Sequence, residues 1–358
     1  MHVISLMVLC LFYVLSFILF YISFYSKRNK EKQAFINNIV VSGVFFLSLS
    51  INILIRTTIQ ESQDNFILFP FNIAILLFTG IFLLFFYLFI KREKKLIEKS
   101  LNKKEFISSN YQLPFKYDIY RKLTHLVVLA IVFFYFTLGL LIQILIIDIL
   151  KLIPELVSDT FSSYTIHNIN MLFTQNLVMF LVGISVIGLI TADAVRILKP
   201  EYYPLKPVNR ILREKELHLR LGPQISMAVG CFSIIIVFGL FQPYGPYIIC
   251  LSMTMAIFSD MAANIIGRSL GKRKIRNTSK TWEGLFAGIS AAFISGLIAN
   301  YFLNQFYQIN IITSIILSFL GASIIGFLDY LDLEIDDNLL FNVIPTIILF
   351  LFYYFVLY

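Results

Sequence analysis

The stretch Ser259-Asp260-Met-Ala-Ala-Asn264-Ile-Ile-Gly267-Arg268-Ser-Leu-Gly271-Lys272 spaces a carboxylate, an amide and two glycines four, three and four residues apart. On a helix these intervals make one stripe. Asp260 lies about two turns inside an apolar run, where an ionised carboxylate costs at least ~2.5 kcal/mol unless it is paired, hydrated or bound to a metal. A polar site is the favoured reading, and a structural pairing with a neighbouring helix is the other. Lys272, Arg273, Lys274 and Arg276 then crowd a short loop that ends at Ser279-Lys280-Thr281, where the next apolar run begins with Trp282-Glu283-Gly284. A helix N-terminus with free N–H groups, two hydroxyls and a lysine can cradle phosphate. Acid, amide and glycines opposite a basic helix-opening turn suit phosphate chemistry.

Three further groups carry chemistry. Arg121, Lys122 and His125 open an earlier apolar run, with Arg121 and His125 one turn apart. Asp193 and Arg196, three apart at the end of another, can pair within their helix. The run Arg213-Glu214-Lys215-Glu216 reads as a solvated surface. Near the C-terminal end, the segment from Asp329 to Asn338 is strongly acidic. Its Asp336, Asp337 and Asn338 are the donors Mg²⁺ uses, through one or two carboxylates plus substrate phosphates; a solvated turn is the alternative. Cys10, Cys231 and Cys250 show no metal or redox spacing and read as small buried hydrophobes. Gly284 and Gly288 read as a helix-packing pair.

The elements that must hold these residues are membrane helices. The 358 residues are 58% hydrophobic and only 14% charged, with mean hydropathy +0.82. Water-soluble domains are about 45–50% apolar and about 25% charged, so a soluble enzyme is excluded. Ten apolar runs are long enough to span a bilayer, roughly 3–25, 36–56, 66–90, 123–150, 171–195, 223–241, 246–267, 282–303, 310–328 and 339–357. The first is followed, not preceded, by Lys27, Arg28, Lys30 and Lys32, which favours a true span over a cleaved leader. Of the 29 Lys and Arg residues, all but Arg56 and Lys151 fall on one side of this threading. The positive-inside rule puts those loops in the cytoplasm and both termini outside. The expected fold is an all-α polytopic membrane protein of about ten transmembrane helices. Its one-sided charge of +8 suits anionic headgroups, and no nucleic-acid module accompanies it. A transporter or membrane scaffold is a weaker reading, since no internal repeat is visible.

In order, the chain carries R-K-L-T-H, A-D-A-V-R-I-L-K-P, L-R-E-K-E, L-G-P-Q-I-S-M-A-V-G, S-D-M-A-A-N-I-I-G-R-S-L-G-K, S-K-T-W-E-G and I-D-D-N-L-L-F-N-V-I-P. This set, over roughly 118–346, resembles the CTP-dependent lipid kinases: dolichol and polyprenol kinases, phytol kinases and the CTP-dependent diacylglycerol kinase. The related phosphatidate cytidylyltransferases share the aspartate, glycine and S-x-K-T-W-E-G elements. They end instead in a lysine-aspartate pair, a histidine-glycine-glycine and a D-R-x-D cluster. Here no histidine follows His218 and the end reads D-D-N, which favours the kinase branch; Trp282 looks more like the cytidylyltransferase version.

The resemblance implies a seven-helix catalytic membrane domain over 116–358, with 1–115 as an accessory three-helix bundle. It implies CTP and Mg²⁺, a lipid alcohol as acceptor, and a site on the cytoplasmic face of an integral multi-pass protein. Asp260, Lys280 and His125 would be catalytic, with Asp260, Asp336, Asp337 and Asn338 toward the metal. Arg121, Lys122, Asp193, Arg196, Asn264, Gly267, Arg268, Gly271, Lys272, Ser279, Thr281 and Glu283 would hold nucleotide or phosphate. Homo-oligomerisation is left open, and no nucleic-acid partner is expected.

Overall fold

The computed structural model describes residues 2–59, 65–99, 120–121, 123, 125–150, 171–212, 216, 218–276, 278 and 280–357. Among them the regular structure is helical, apart from one isolated β-bridge between Lys274 and Thr281. The helices are α1 (His2–Arg28), α2 (Lys32–Ile59), α3 (Phe71–Lys99), α4 (Leu129–Phe136), α5 (Leu138–Leu150), α6 (Leu172–Leu198), α7 (Pro223–Phe238), α8 (Tyr244–Ser269), α9 (Trp282–Tyr307), α10 (Ile311–Leu331) and α11 (Asp337–Phe352). Among the described residues eight helices are long and apolar enough to cross a membrane, and the bent pair around Thr137 makes up to nine. The protein is an all-α, integral multi-pass membrane protein.

Two of the ten expected spans come out differently. The run over 123–150 is broken at Thr137 by a 42° bend. Gly139 permits it, because a Cβ there would stand 1.9 Å from the Phe134 carbonyl oxygen, and kinks of this size need such a residue. The run over 223–241 yields only the 16 residues of α7, about 24 Å at 1.5 Å per residue, short of a bilayer's hydrocarbon. It ends in a turn at Gly239 and Leu240, ahead of Pro243.

The chain forms two compact units, one of Met1–Thr124 with Gly183–Val229 and one of His125–Val182 with Gly230–Tyr358. In the first, α1 and α2 pack as a hairpin through Val8, Phe12, Leu19, Val41, Phe45 and Leu49, all nearly or fully buried. Phe12 meets Phe45 edge-on at 6.3 Å. In the second, α8 is the central helix, covered by α9, α10 and α11. Small residues let these helices approach. A Cβ on Gly284 would meet the Ala263 carbonyl at 2.8 Å and Gly267 Cα at 3.0 Å, and one on Gly288 would meet Ala263 Cβ at 3.0 Å. Farther along, Gly296 faces Ser318 and Met255, and Gly326 faces Ile289. Where polar groups are buried in this seam they are bonded: Asn300 donates to Ser314 O at 3.1 Å and to Ser318 Oγ at 2.9 Å.

Close packing of this kind tolerates no added volume. Gly296→Leu drives its side chain into Ser318 and Met255 and should cost about 1–3 kcal/mol, seen as a fall of several degrees in thermal unfolding. Gly80→Ala, where an added Cβ meets nothing within 4 Å, should leave the midpoint unchanged or raise it. Equal midpoints for wild type and Gly296→Leu would contradict the packing.

Candidate functional site

The second unit gathers its polar groups at one end of α8. His125 lies at the entry to the turn Leu126–Val128 and is almost fully buried; its Nδ1 is 3.2 Å from Oδ2 of Asp260. Its Nε2 is buried and has no hydrogen-bond partner. Asp260 is about two-thirds of the way along α8, with its side chain 15% exposed, and Asn264 one turn later is half-buried. The carboxylate has the partner that its depth demands, and that partner is titratable.

After α8 the chain folds back on itself. Ile275 N donates to Lys280 O and Trp282 N to Arg273 O, both at 2.9 Å. Arg276 takes a left-handed φ of 50° in the intervening turn. This hairpin delivers Lys280 to the root of α9 and leaves Lys272, Arg273, Lys274 and Arg276 exposed. Thr281 is the N-cap of α9, accepting from Gly284 N at 3.2 Å, and its hydroxyl packs over Gly267 and Gly271. Both Glu283 oxygens accept from Arg273 N, at 3.2 and 3.3 Å. A carboxylate in the first turn is favourable at a helix N-terminus.

Lys280 meets three carboxylates. Its ammonium donates to Asp329 Oδ1 at 2.9 Å and Asp337 Oδ2 at 3.3 Å, lies 3.2 Å from Asp332 Oδ1, and also reaches the Asp329 carbonyl at 3.1 Å. Asp332 arrives there because α10 ends on it in a left-handed conformation. Burial alone would lower the Lys280 pKa, but Asp337, Asp329 and Asp332 outweigh it and raise it above the ordinary lysine value. The ion-pair stabilisation is therefore complete below the ordinary lysine range and is lost only as pH rises past the folded value. Next to it, Asp336 caps α11, its Oδ1 accepting from Asn338 N at 2.9 Å and Asn338 Nδ2 at 2.7 Å.

The first unit holds a second polar cluster. Arg196 pairs through Nε and Nη2 with both oxygens of Asp193. Its Nη1 donates to Glu216 O at 2.8 Å and His218 O at 3.5 Å, and Nη2 to Arg220 O at 2.8 Å. Asp193 Oδ2 also accepts from Gly222 N at 3.1 Å. All five guanidinium N–H groups are thus engaged within the chain, clamping residues 216 and 218–222. The Glu216 side chain, almost fully buried, accepts from Arg121 Nη1 at 3.0 Å. Above this cluster the Tyr203 hydroxyl is pushed up to about 12 by burial and by Asp193, against the opposing pull of Arg196.

Residues 119–329, more than half of the chain, match the profile of the cytidylyltransferase family. The chain belongs to the cytidylyltransferase family. No curated protein and no solved structure matches it. Membership makes the chain a CTP-using lipid enzyme of the membrane, and the matched segment contains both polar clusters except the residues beyond Asp329.

Within this cytidylyltransferase-family chain, sequence and structure agree on some groupings and part on others. His125 with Asp260, Gly267 and Gly271 with Thr281, and Lys280 with Asp337 come together. Arg268 and Lys272 point outward and are exposed. Lys122 and Ser279, and Arg213, Glu214 and Lys215, lie outside the described residues. Glu216 corrects the reading of its run as a solvated surface: buried ion pairing to Arg121 overrides the local charge density. Sequence reasoning takes Asp329 and Asp332 only as part of the acidic segment and does not reach Arg220. Asp329 carried a signal, being a carboxylate at a helix C-terminus, where the dipole disfavours it.

The family implies a divalent cation. Among the described residues no group of three His, Cys, Asp or Glu side chains is arranged to hold a metal. A preformed cage is not needed, since Mg²⁺ takes one or two carboxylates plus substrate phosphates. Asp260 and Asp337 are hard-oxygen donors of the kind such an ion takes. Asp336 and Asn338 are less suited, each already bonded in the α11 cap.

The clamp makes its own prediction. Arg196→Lys keeps the charge but not the fork, leaving Asp193 and several carbonyls short of donors. It should cost about 3 kcal/mol, nearly as much as Arg196→Gln, read as a lowered thermal midpoint. A wild-type midpoint in Arg196→Lys would contradict the clamp.

Proposed function

We propose that this chain transfers the γ-phosphoryl group of CTP to the hydroxyl of a membrane lipid alcohol, at the cytoplasmic face. The observation that carries this reading is His125, held through Nδ1 by Asp260 and with a buried Nε2 that has no partner. An alcohol must lose a proton as it attacks phosphorus, whereas an ionised phosphatidate attacking CTP has none to lose. A histidine oriented by a carboxylate is the standard device for taking that proton.

With Nδ1–H directed at Asp260, Nε2 presents its lone pair and accepts the hydroxyl proton. The lipid oxygen forms its bond to the γ-phosphorus, the bond from that phosphorus to the β-bridging oxygen breaks, and CDP leaves. Asp260 stabilises the imidazolium so formed. Phosphoryl transfer otherwise depends on positioning and charge neutralisation. Lys280, Arg268 and Lys272 supply positive charge to the triphosphate. Asn264 lies beside Asp260, and Thr281 with Gly267 and Gly271 fixes the root of α9. Asp260 and Asp337 would hold Mg²⁺, which when bound neutralises phosphate charge. Asp193 and Arg196 act by holding residues 216 and 218–222. Dolichol, polyprenol, phytol-like alcohols and diacylglycerol all present one hydroxyl on an apolar tail, and any of them suits this chemistry.

A second reading, CDP-lipid synthesis from phosphatidate, is supported by Trp282 in S-K-T-W-E-G and by the family's name. The two part at His125. His125→Gln should lower lipid phosphorylation by about a hundredfold or more while inserted protein and CTP affinity stay near wild type; Asp260→Asn should lower it as far and, by removing a Mg²⁺ ligand, weaken CTP binding as well. Undiminished turnover in either variant would remove the proposed base.

A further inference from the structure

Asn342 is an amide inside the apolar α11 and is 3% exposed. Its Nδ2 donates to Asn338 O at 2.6 Å, which fixes the orientation of the amide, and its Oδ1 is buried with no hydrogen-bond partner among the described residues. Asn300, the buried amide of the seam around α9 and α10, has both ends bonded: Oδ1 by Tyr247, and Nδ2 by Ser314 O and Ser318 Oγ. An orphaned buried acceptor costs about 1–3 kcal/mol and calls for a ligand or another explanation.

The register of α11 on α8 within the second unit shows what lies near that oxygen. The two helices run antiparallel. Tyr353, just past α11, packs on Tyr244 and Tyr247 at the start of α8, with ring centroids 5.0 and 6.2 Å apart, and Thr346 Oγ1 donates to Ser252 Oγ at 2.8 Å. Thr346 is therefore level with Ser252. Four residues back along α11 and four forward along α8, Asn342 is level with Ala256; after four more, Asn338 is level with Asp260. Steps of four keep each set on one side of its helix. Asp260 and Asn342 are thus about 6 Å apart along the axes, at about 1.5 Å per residue. Helical side chains lean toward their own N-terminus. In this antiparallel pair that carries Asp260 and Asn342 toward each other, over the methyl group of Ala256.

We propose that Asn342 Oδ1 is a ligand of the divalent cation, together with Asp260. The inference rests on the assignment of Asp260 to Mg²⁺ and deepens it. Hard cations take neutral carbonyl oxygens as well as carboxylates, and an amide adds a ligand without a second buried charge, which would be far costlier to desolvate. The bond from Nδ2 to Asn338 O leaves the oxygen, not the nitrogen, as the end presented. His125 in turn holds Asp260 through Nδ1, as the hydrogen-bonding partners of metal-binding carboxylates do.

The test is binding of Mn²⁺, a paramagnetic stand-in for Mg²⁺, to the purified full-length chain, followed by electron paramagnetic resonance with and without CTP. Asn342→Leu, close to the amide in shape, should weaken Mn²⁺ binding about tenfold or more, the loss that even the outer partners of metal ligands produce. Asn342→Ala should do the same and serves if a leucine is not accommodated beside Gly230, where an added Cβ would stand 3.6 Å from Asn342 Cβ. Asp260→Asn should weaken Mn²⁺ binding at least as much. Adding the Asn342 substitution to Asp260→Asn should then cost clearly less than it does alone, because two ligands of one ion are not additive. Wild-type Mn²⁺ affinity in the Asn342 variants, or an equal loss in both backgrounds, would overturn this inference alone. A wild-type chain that binds no Mn²⁺ in either condition, or wild-type affinity in Asp260→Asn, would overturn the metal assignment of Asp260 and this inference with it.

Discussion

A full charge withdrawn from water beside a bilayer costs several kcal/mol unless an opposite charge or a set of dipoles meets it. That constraint organises the polar end of each unit. Asp193 and Arg196 meet on one turn of α6, and Arg196 then spends its other donors on backbone carbonyls. Arg121 finds Glu216, Asp260 finds His125, and Lys280 finds Asp329, Asp332 and Asp337. Helix ends follow from these pairings. The left-handed terminus of α10 turns Asp332 toward Lys280, and Asp336 starts α11 beside it. One ammonium among three carboxylates leaves local negative charge in excess. A divalent cation would offset that excess.

Small residues are the complementary constraint. Lipid supplies no hydrophobic drive between helices, so their association depends on close contact. Gly267, Gly284 and Gly288 bring α8 and α9 within reach of backbone-to-backbone contact, and the same approach seats the Thr281 hydroxyl against Gly267 and Gly271. The root of α9, where Lys280 stands, is therefore positioned by a rigid crossing and not by the exposed basic loop alone.

Much of this was legible in one dimension. Hydropathy marked every apolar helix, because the bilayer demands length and apolarity and little else. It overcounted only where a turn at Gly239 cut α7 short of bilayer length and where Gly139 let a span bend. The Asp260 stripe and the Asp193–Arg196 spacing were visible because both are local to a helix. Glu216 was not: four charges in a row look solvated, and what buries it are Arg121, ninety-five residues earlier, and the helices beside it. Nor could spacing reveal that Arg196 is satisfied by carbonyls, since every residue has one. Asn38 inside an apolar run was the signal for Leu219 O and Leu221 N, which its amide bonds more than 180 residues away.

Whether the nucleophile is an alcohol or a phosphate decides the account, and one labelling experiment separates them. Membranes containing the protein would receive a lipid-alcohol mixture, phosphatidate, Mg²⁺ and CTP labelled at either the γ- or the α-phosphate. The account predicts γ label in a chloroform-soluble product and none from the α position. Label from the α position in the lipid, with none from γ, would contradict it and assign the chain to CDP-lipid synthesis.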